Sequence, residues 1–92
     1  MDVEWDDAKA KLNLAKHHVY FEDAIGVFYD RHRIETYDSK KNYDEDRWVT
    51  IGMVNAVILY VVYTIRDGDV IRLISARKAN EKERKQYRQS NA

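Results

Sequence analysis

Hydrophobic and polar positions change their period along the chain, and the changes mark the elements. Val3 to Trp5 reads as a short opening strand. Asp6 or Asp7 is then placed to cap a helix in which Ala8, Leu12 and Ala15 follow helical spacing. That helix is expected to end near Lys16, His17 and His18, where cationic side chains suit the negative end of the dipole. Phe21 to Phe28 predicts a second helix, with Ala24, Ile25 and Phe28 on one side and Glu22 and Asp23 in its first turn. The pattern then becomes that of strands. Arg33 to Tyr37 and Arg47 to Met53 are rich in β-branched and aromatic residues, with an acidic loop from Asp38 to Asp46 between them. Ala56 to Arg66 is almost wholly apolar and is expected in the middle of the sheet. Asp67-Gly68 predicts a tight hairpin turn into Val70 to Ala76. Asn80 followed by Glu83 resembles a capping box opening a final charged helix, in which Glu81 is spaced to pair with Lys85. The order β, α, α, β, β, β, β, α predicts an α+β fold, with helices segregated from an antiparallel sheet.

The turn also predicts a register. With Asp67 and Gly68 in its two central positions, Tyr63 lies opposite Arg72 and Tyr60 opposite Ser75, which places two polar clusters on opposite faces of the hairpin.

Composition narrows the class. Ninety-two residues make one domain over 1–92, and the absence of cysteine removes disulfides and thiolate metal sites, so packing must hold the fold. The longest apolar run, Ala56 to Tyr63, is too short to span a bilayer and the first residues are acidic, which predicts a cytoplasmic protein with no membrane contact. A formal net charge of zero conceals a segregation: from Arg72 onward there are seven Lys or Arg against two Glu, and nine against fourteen before it. A basic end of this kind suits phosphates or an acidic protein, or is a solvated helix face.

The chemistry that remains is cationic. His17, His18 and His32 lack the spacing of a metal-binding pair, so no metal is expected. Gly26, Gly52 and Gly68 are too far apart to cradle a nucleotide phosphate, and Ser75 has no nucleophile elbow around it. Arg47, Arg72 and Arg77 on strands, with Lys16 and His17 at a helix end, suit a phosphodiester. Metal-free cleavage of RNA needs a base for the 2′-hydroxyl, positive charge against the phosphorane and an acid for the leaving oxygen. Arginine supplies the charge, and histidine, titrating near neutrality, transfers the proton. An arginine on a strand is as readily an ion-pair partner. The alternative is a non-catalytic module that binds nucleic acid or protein through its basic C-terminal region.

Several blocks carry a resemblance that spans nearly the whole chain. Glu4-Trp5-Asp6, Lys9 and Asn13, Lys16-His17 before Val19 and Phe21-Glu22, Arg47 through Ile51-Gly52, and above all Arg72-Leu73-Ile74-Ser75-Ala76-Arg77-Lys78-Ala79 followed by Glu83-Arg84 and Tyr87, resemble the BrnT family of toxins. The resemblance implies a RelE-like fold with two N-terminal helices and a C-terminal helix packed on the sheet, and metal-independent RNA cleavage without a cofactor. It also implies a ribbon-helix-helix (BrnA-like) antitoxin that neutralises the toxin and meets operator DNA through the complex, with a dimer inside a toxin-antitoxin heterotetramer. On this reading His17, Arg47, Arg72 and Arg77 are catalytic, and Lys16, Tyr60, Ser75 and Lys78 bind substrate. Arg72 and Arg77 hold the phosphate, Arg47 assists, His17 moves the proton, and Tyr60 or Tyr63 stacks on an unpaired base. The chain departs from the family pattern at His18, where glycine is common, at Tyr20, which replaces a small capping hydroxyl, and at Tyr29-Asp30-Arg31-His32, which replaces an Asp-Pro.

Overall fold

The computed structural model describes residues 1–39 and 45–91. In chain order the elements are β1 (Val3–Glu4), α1 (Asp7–His17), α2 (Phe21–Ala24) continuing into a 3-10 turn at Ile25–Tyr29, β2 (Ile34–Asp38), β3 (Arg47–Val54), β4 (Val57–Arg66), β5 (Val70–Lys78) and α3 (Glu81–Ser90). Most of the expected acidic loop, residues 40–44, lies outside the described residues. The strands form one sheet in the order β1-β5-β4-β3-β2, so the most apolar strand is central, as expected. The sheet is mixed rather than wholly antiparallel, because β1 pairs parallel to β5 through Val3↔Ile71 and Glu4↔Arg72. No hairpin joins these two strands, so no turn imposes an antiparallel direction on them.

Local chemistry sets the ends of the elements. The Asp6 side chain caps α1 by accepting from the Lys9 amide at 3.0 Å. Asn80 and Glu83 form the expected capping box on α3, with the Glu83 amide donating to Asn80 at 2.8 Å and the Asn80 amide donating to Glu83 at 2.9 Å. His18 closes α1 in the left-handed region at φ 61°, a conformation that costs a non-glycine residue some strain. Tyr20 precedes α2 without a side-chain cap. The expected second helix is α-helical only to Ala24 and then tightens into the 3-10 turn. There Gly26 lies so close to β3 that a Cβ on it would stand 3.1 Å from the Val54 side chain.

The first helix buries a stripe other than the expected one. Ala8, Leu12 and Ala15 face outward, and Leu12 is 70% exposed. Inside are Asn13, which is buried, and Ala10, Leu14 and His17, which are half-buried. The polar member explains the error. Asn13 Nδ2 donates to the carbonyls of Ala76 at 2.8 Å and Val19 at 3.1 Å, and its Oδ1 accepts from the Ala76 amide at 3.0 Å. The amide side chain thus satisfies strand backbone that β1 is too short to reach, and apolar periodicity carries no sign of that role.

The β4–β5 hairpin also departs from expectation. Its loop is three residues, Asp67 to Asp69, with Arg66 paired to Val70, and Asp67 and Gly68 both take positive φ. A bulge at Ile74 then shifts the register again, from Tyr63↔Leu73 to Val62↔Ser75. The expected pairs of Tyr63 with Arg72 and Tyr60 with Ser75 are therefore replaced by Thr64↔Arg72 and Tyr60↔Arg77.

Both faces of the sheet bury apolar side chains. On the first, Val19, Phe21, Ala24 and Val27 pack against Leu59, Val61, Tyr63, Leu73 and Ala76. Edge-on ring contacts join Trp5 to Phe21 at 5.8 Å and Phe28 to Tyr63 at 5.1 Å. On the second, Ala79 and Tyr87 bring α3 down on Val49, Ile51 and Ile58. Asp30 ties the end of this helix to the rest: it accepts from the Tyr87 hydroxyl at 2.6 Å, the Met53 amide at 2.8 Å and the His32 amide at 2.9 Å. Partial burial pushes its carboxyl up, but these three donors outweigh that and hold it below the usual carboxylate range. Burial and the Asp30 bond push the Tyr87 hydroxyl up to about 12.

Candidate active site

The bulge decides which face the arginines share. Arg72 and Arg77 are five residues apart and would point to opposite faces of a regular strand. One extra residue at Ile74 puts Arg72, Ser75 and Arg77 together on the second face, while Leu73 and Ala76 turn to the first. The paired strands extend this set sideways in three rows. Glu4, Arg72 and Thr64 are neighbours in the first row, and Arg47 joins it because the next residue, Trp48, pairs with Tyr63 beside Thr64. The second row is Val49, Val62 and Ser75, and the third is Ile51, Tyr60 and Arg77, next to α3.

Each guanidinium on β5 is held by a carboxylate. Arg77 makes two parallel bonds to Glu83, both 2.8 Å, and its Cζ lies 4.0 Å from the Tyr60 ring centre. The Glu83 bond holds the Arg77 pKa above its usual value despite partial burial. For Glu83, burial raises the pKa but the bonds from Arg77 and the Asn80 amide lower it further, so the pair stays charged. Arg72 donates to Glu4 at 2.5 Å. Arg47 stands 4.0 Å from Glu45. These pairs are at the surface: the arginine side chains retain a quarter to a third of their exposure. Tyr60 and Glu83 also border a hollow of about 530 Å³ between β2 and α3, with Thr36, Val49, Ile51 and Gln86.

His17 stands at the end of α1, beside this group. Together with Lys16 it lines a cleft against Ser75 at the outer edge of β5. Burial, followed by the charges of Lys16, Arg77 and His18, holds the His17 imidazole below its usual pKa. It is therefore mainly neutral at neutral pH and able to accept a proton.

Of the eight residues picked from sequence, Arg47, Arg72, Ser75, Tyr60 and Arg77 share one face, and Lys16 and His17 adjoin it at the strand edge. Lys78 does not join them, because it pairs with Leu59 on the side of the first core. Tyr63, named as a base-stacking candidate, is buried in that core with its hydroxyl donating to Glu35. Glu4 and Glu83, which orient Arg72 and Arg77, were not picked as site residues. In sequence Glu83 reads as a helix cap and as part of the Glu83-Arg84 block, and Glu4 as part of the opening strand and of the Glu4-Trp5-Asp6 block, neither as a partner of an arginine. Among the described residues no cluster of three or more His, Asp or Glu is arranged to hold a metal ion, and no helix is long and apolar enough to cross a membrane.

Fold and site together define a small α+β protein whose mixed sheet carries carboxylate-held arginines on one face, flanked by a histidine at a helix end. The model of the BrnT ribonuclease toxin family of type II toxin-antitoxin systems matches residues 5–83, and the chain belongs to that family. Among solved structures it is similar to the 1.1 Å crystal structure of the BrnT ribonuclease toxin of Brucella abortus, with a TM-score of 0.67 and 28% identity, over 88% of this chain and 99% of that one. No curated protein matches the sequence.

Proposed function

We propose that this protein is a metal-independent endoribonuclease, acting in the cytoplasm to arrest growth until a ribbon-helix-helix antitoxin neutralises it. One observation carries the mechanism: the bulge at Ile74 gathers Arg72, Ser75 and Arg77 on one face, and His17 lines a cleft with Ser75 at the edge of that face. His17 accepts the proton of a ribose 2′-hydroxyl. The freed oxygen forms a bond to phosphorus, the bond from phosphorus to the 5′-oxygen breaks, the departing oxygen takes a proton from water, and the hydroxide left is neutralised as His17 gives up the proton it took. The products are a 2′,3′-cyclic phosphate and a 5′-hydroxyl. Arg72 and Arg77 neutralise the charge that grows on the phosphorane, with Arg47 at the far end of the first row. Glu4 and Glu83 fix the two guanidiniums before substrate arrives, and preorganisation of this kind is what makes such charges effective. Ser75 donates a hydrogen bond to the phosphate from the middle of the face. Lys16 steers the anion in. Tyr60, with one side of its ring under Arg77, offers the hollow beside it an aromatic wall for a base.

The test is incubation of the purified chain with RNA in excess EDTA. Fragments ending in 2′,3′-cyclic phosphate are expected. RNA that is bound but left whole would mean a non-catalytic module instead.

A further inference from the structure

The outer edge of β5 is only partly covered. β1 pairs with Ile71 and Arg72 and goes no further, while Asn13 occupies the amide and carbonyl of Ala76 as a neighbouring strand would. Between these two covers, Ile74 and Ser75 form the floor of a cleft of about 630 Å³ against α1. Leu12 lines it while 70% exposed, an unusual place for a leucine on a helix that otherwise turns small or charged residues outward. Lys9, Lys16 and His17 stand around it, and no acidic residue is among the described residues that line it. A strand edge, an exposed leucine and a cationic rim together fit one kind of occupant.

We infer that this cleft is the docking site for an extended, acidic peptide segment of the protein's antitoxin partner, which lies along β5 at Ile74 and Ser75, places an apolar side chain on Leu12 and covers His17. This rests on reading the chain as a toxin with a protein partner. The apolar floor favours peptide over RNA, because no aromatic ring lines the cleft to stack a base. Strand addition supplies the main-chain bonds, and the lysines select the acidic sequence. Neutralisation follows directly, since a segment seated there stands between the imidazole and any ribose.

The experiment uses the full chain and a labelled heptapeptide, Asp-Glu-Val-Leu-Val-Glu-Asp, with a Lys-flanked version as control. The acidic peptide is expected to bind, to shift the Leu12 and Ile74 methyl signals in NMR spectra, and to inhibit RNA cleavage, whereas the basic control does none of these. Leu12→Asp should weaken binding by about tenfold or more. Leu12→Ser, which adds no charge beside Lys16 and His17, should weaken it as well while leaving cleavage without peptide unchanged, so that the loss follows from the leucine and not from misfolding or from a new charge. The inference is overturned if the peptide does not bind, if it shifts signals elsewhere, if Leu12→Asp has no effect, or if an RNA oligonucleotide shifts these methyls and the peptide does not. Failure of cleavage with peptide binding intact would instead remove the ribonuclease reading and leave the docking site standing.

Discussion

The two faces of the sheet are built from alternate residues of the same strands, yet they do different work. The first is closed by α1, α2 and the 3-10 turn, and its side chains are consumed in packing: Phe21, Val27, Val61 and Leu73 are almost entirely inaccessible. The second is covered by α3 at one end, and beyond Tyr60 it carries a row of arginines and their carboxylates, Arg47 and Arg72 each about a quarter exposed. The tyrosines make the contrast concrete. Tyr63 and Tyr60 are three residues apart on β4, and one is a core ring while the other is a platform for a guanidinium. The closed face supplies most of the core, while the other spends four of the ten positions in its three rows, Glu4, Arg47, Arg72 and Arg77, on charge.

The comparison breaks most severely where the closed face is emptied. Phe21→Ala removes a ring that is 1% exposed and should cost about 3–5 kcal/mol, read as a fall in the urea midpoint with cleavage per folded molecule unchanged. Asn13→Ala comes next. It strips the Ala76 amide and carbonyl and the Val19 carbonyl of their partner, with an expected loss of about 2–3 kcal/mol by the same measurement. Tyr87→Phe, which releases α3 from Asp30, is smaller at about 1–2 kcal/mol. Its size depends on pH in a defined direction. A carboxyl held below its usual range contributes stability above an unfolded pKa of about 4, and the contribution is lost as pH falls through the lower folded value. The penalty should thus be full at neutral pH and shrink in acid. The smallest effect sharpens the open face: if neutral His17 is the base, the acid limb of the cleavage profile lies below about 6.5, and Lys16→Ala should move it up. The shift will be partial, because burial is the larger cause of the depression.

Much of the frame was legible in sequence because periodicity and caps are local. Apolar β4 fell in the centre, and Asn80 with Glu83 opened the last helix. What escaped depends on backbone or on distant partners. Nothing in Leu73-Ile74-Ser75 announces a bulge, so the arginines were assigned to β5 without the reason they share a face. The three-residue turn shifted every pair of the hairpin from a count that assumed two. Asn13 hid the buried stripe of α1, since a polar residue interrupts an apolar pattern whatever it bonds to. The carboxylates were visible, but that Glu4 meets Arg72 across a parallel pair depends on β1 returning to the far side of β5, which no local pattern encodes.

If Arg72 and Arg77 act together on one phosphate, as proposed, the double variant Arg72→Ala, Arg77→Ala loses both cations at once. Its cleavage of RNA in EDTA should fall by about 10²-fold or more, with circular dichroism and the urea midpoint showing a folded protein. Cleavage at the parent rate by that folded variant would mean that neither arginine acts on the phosphate.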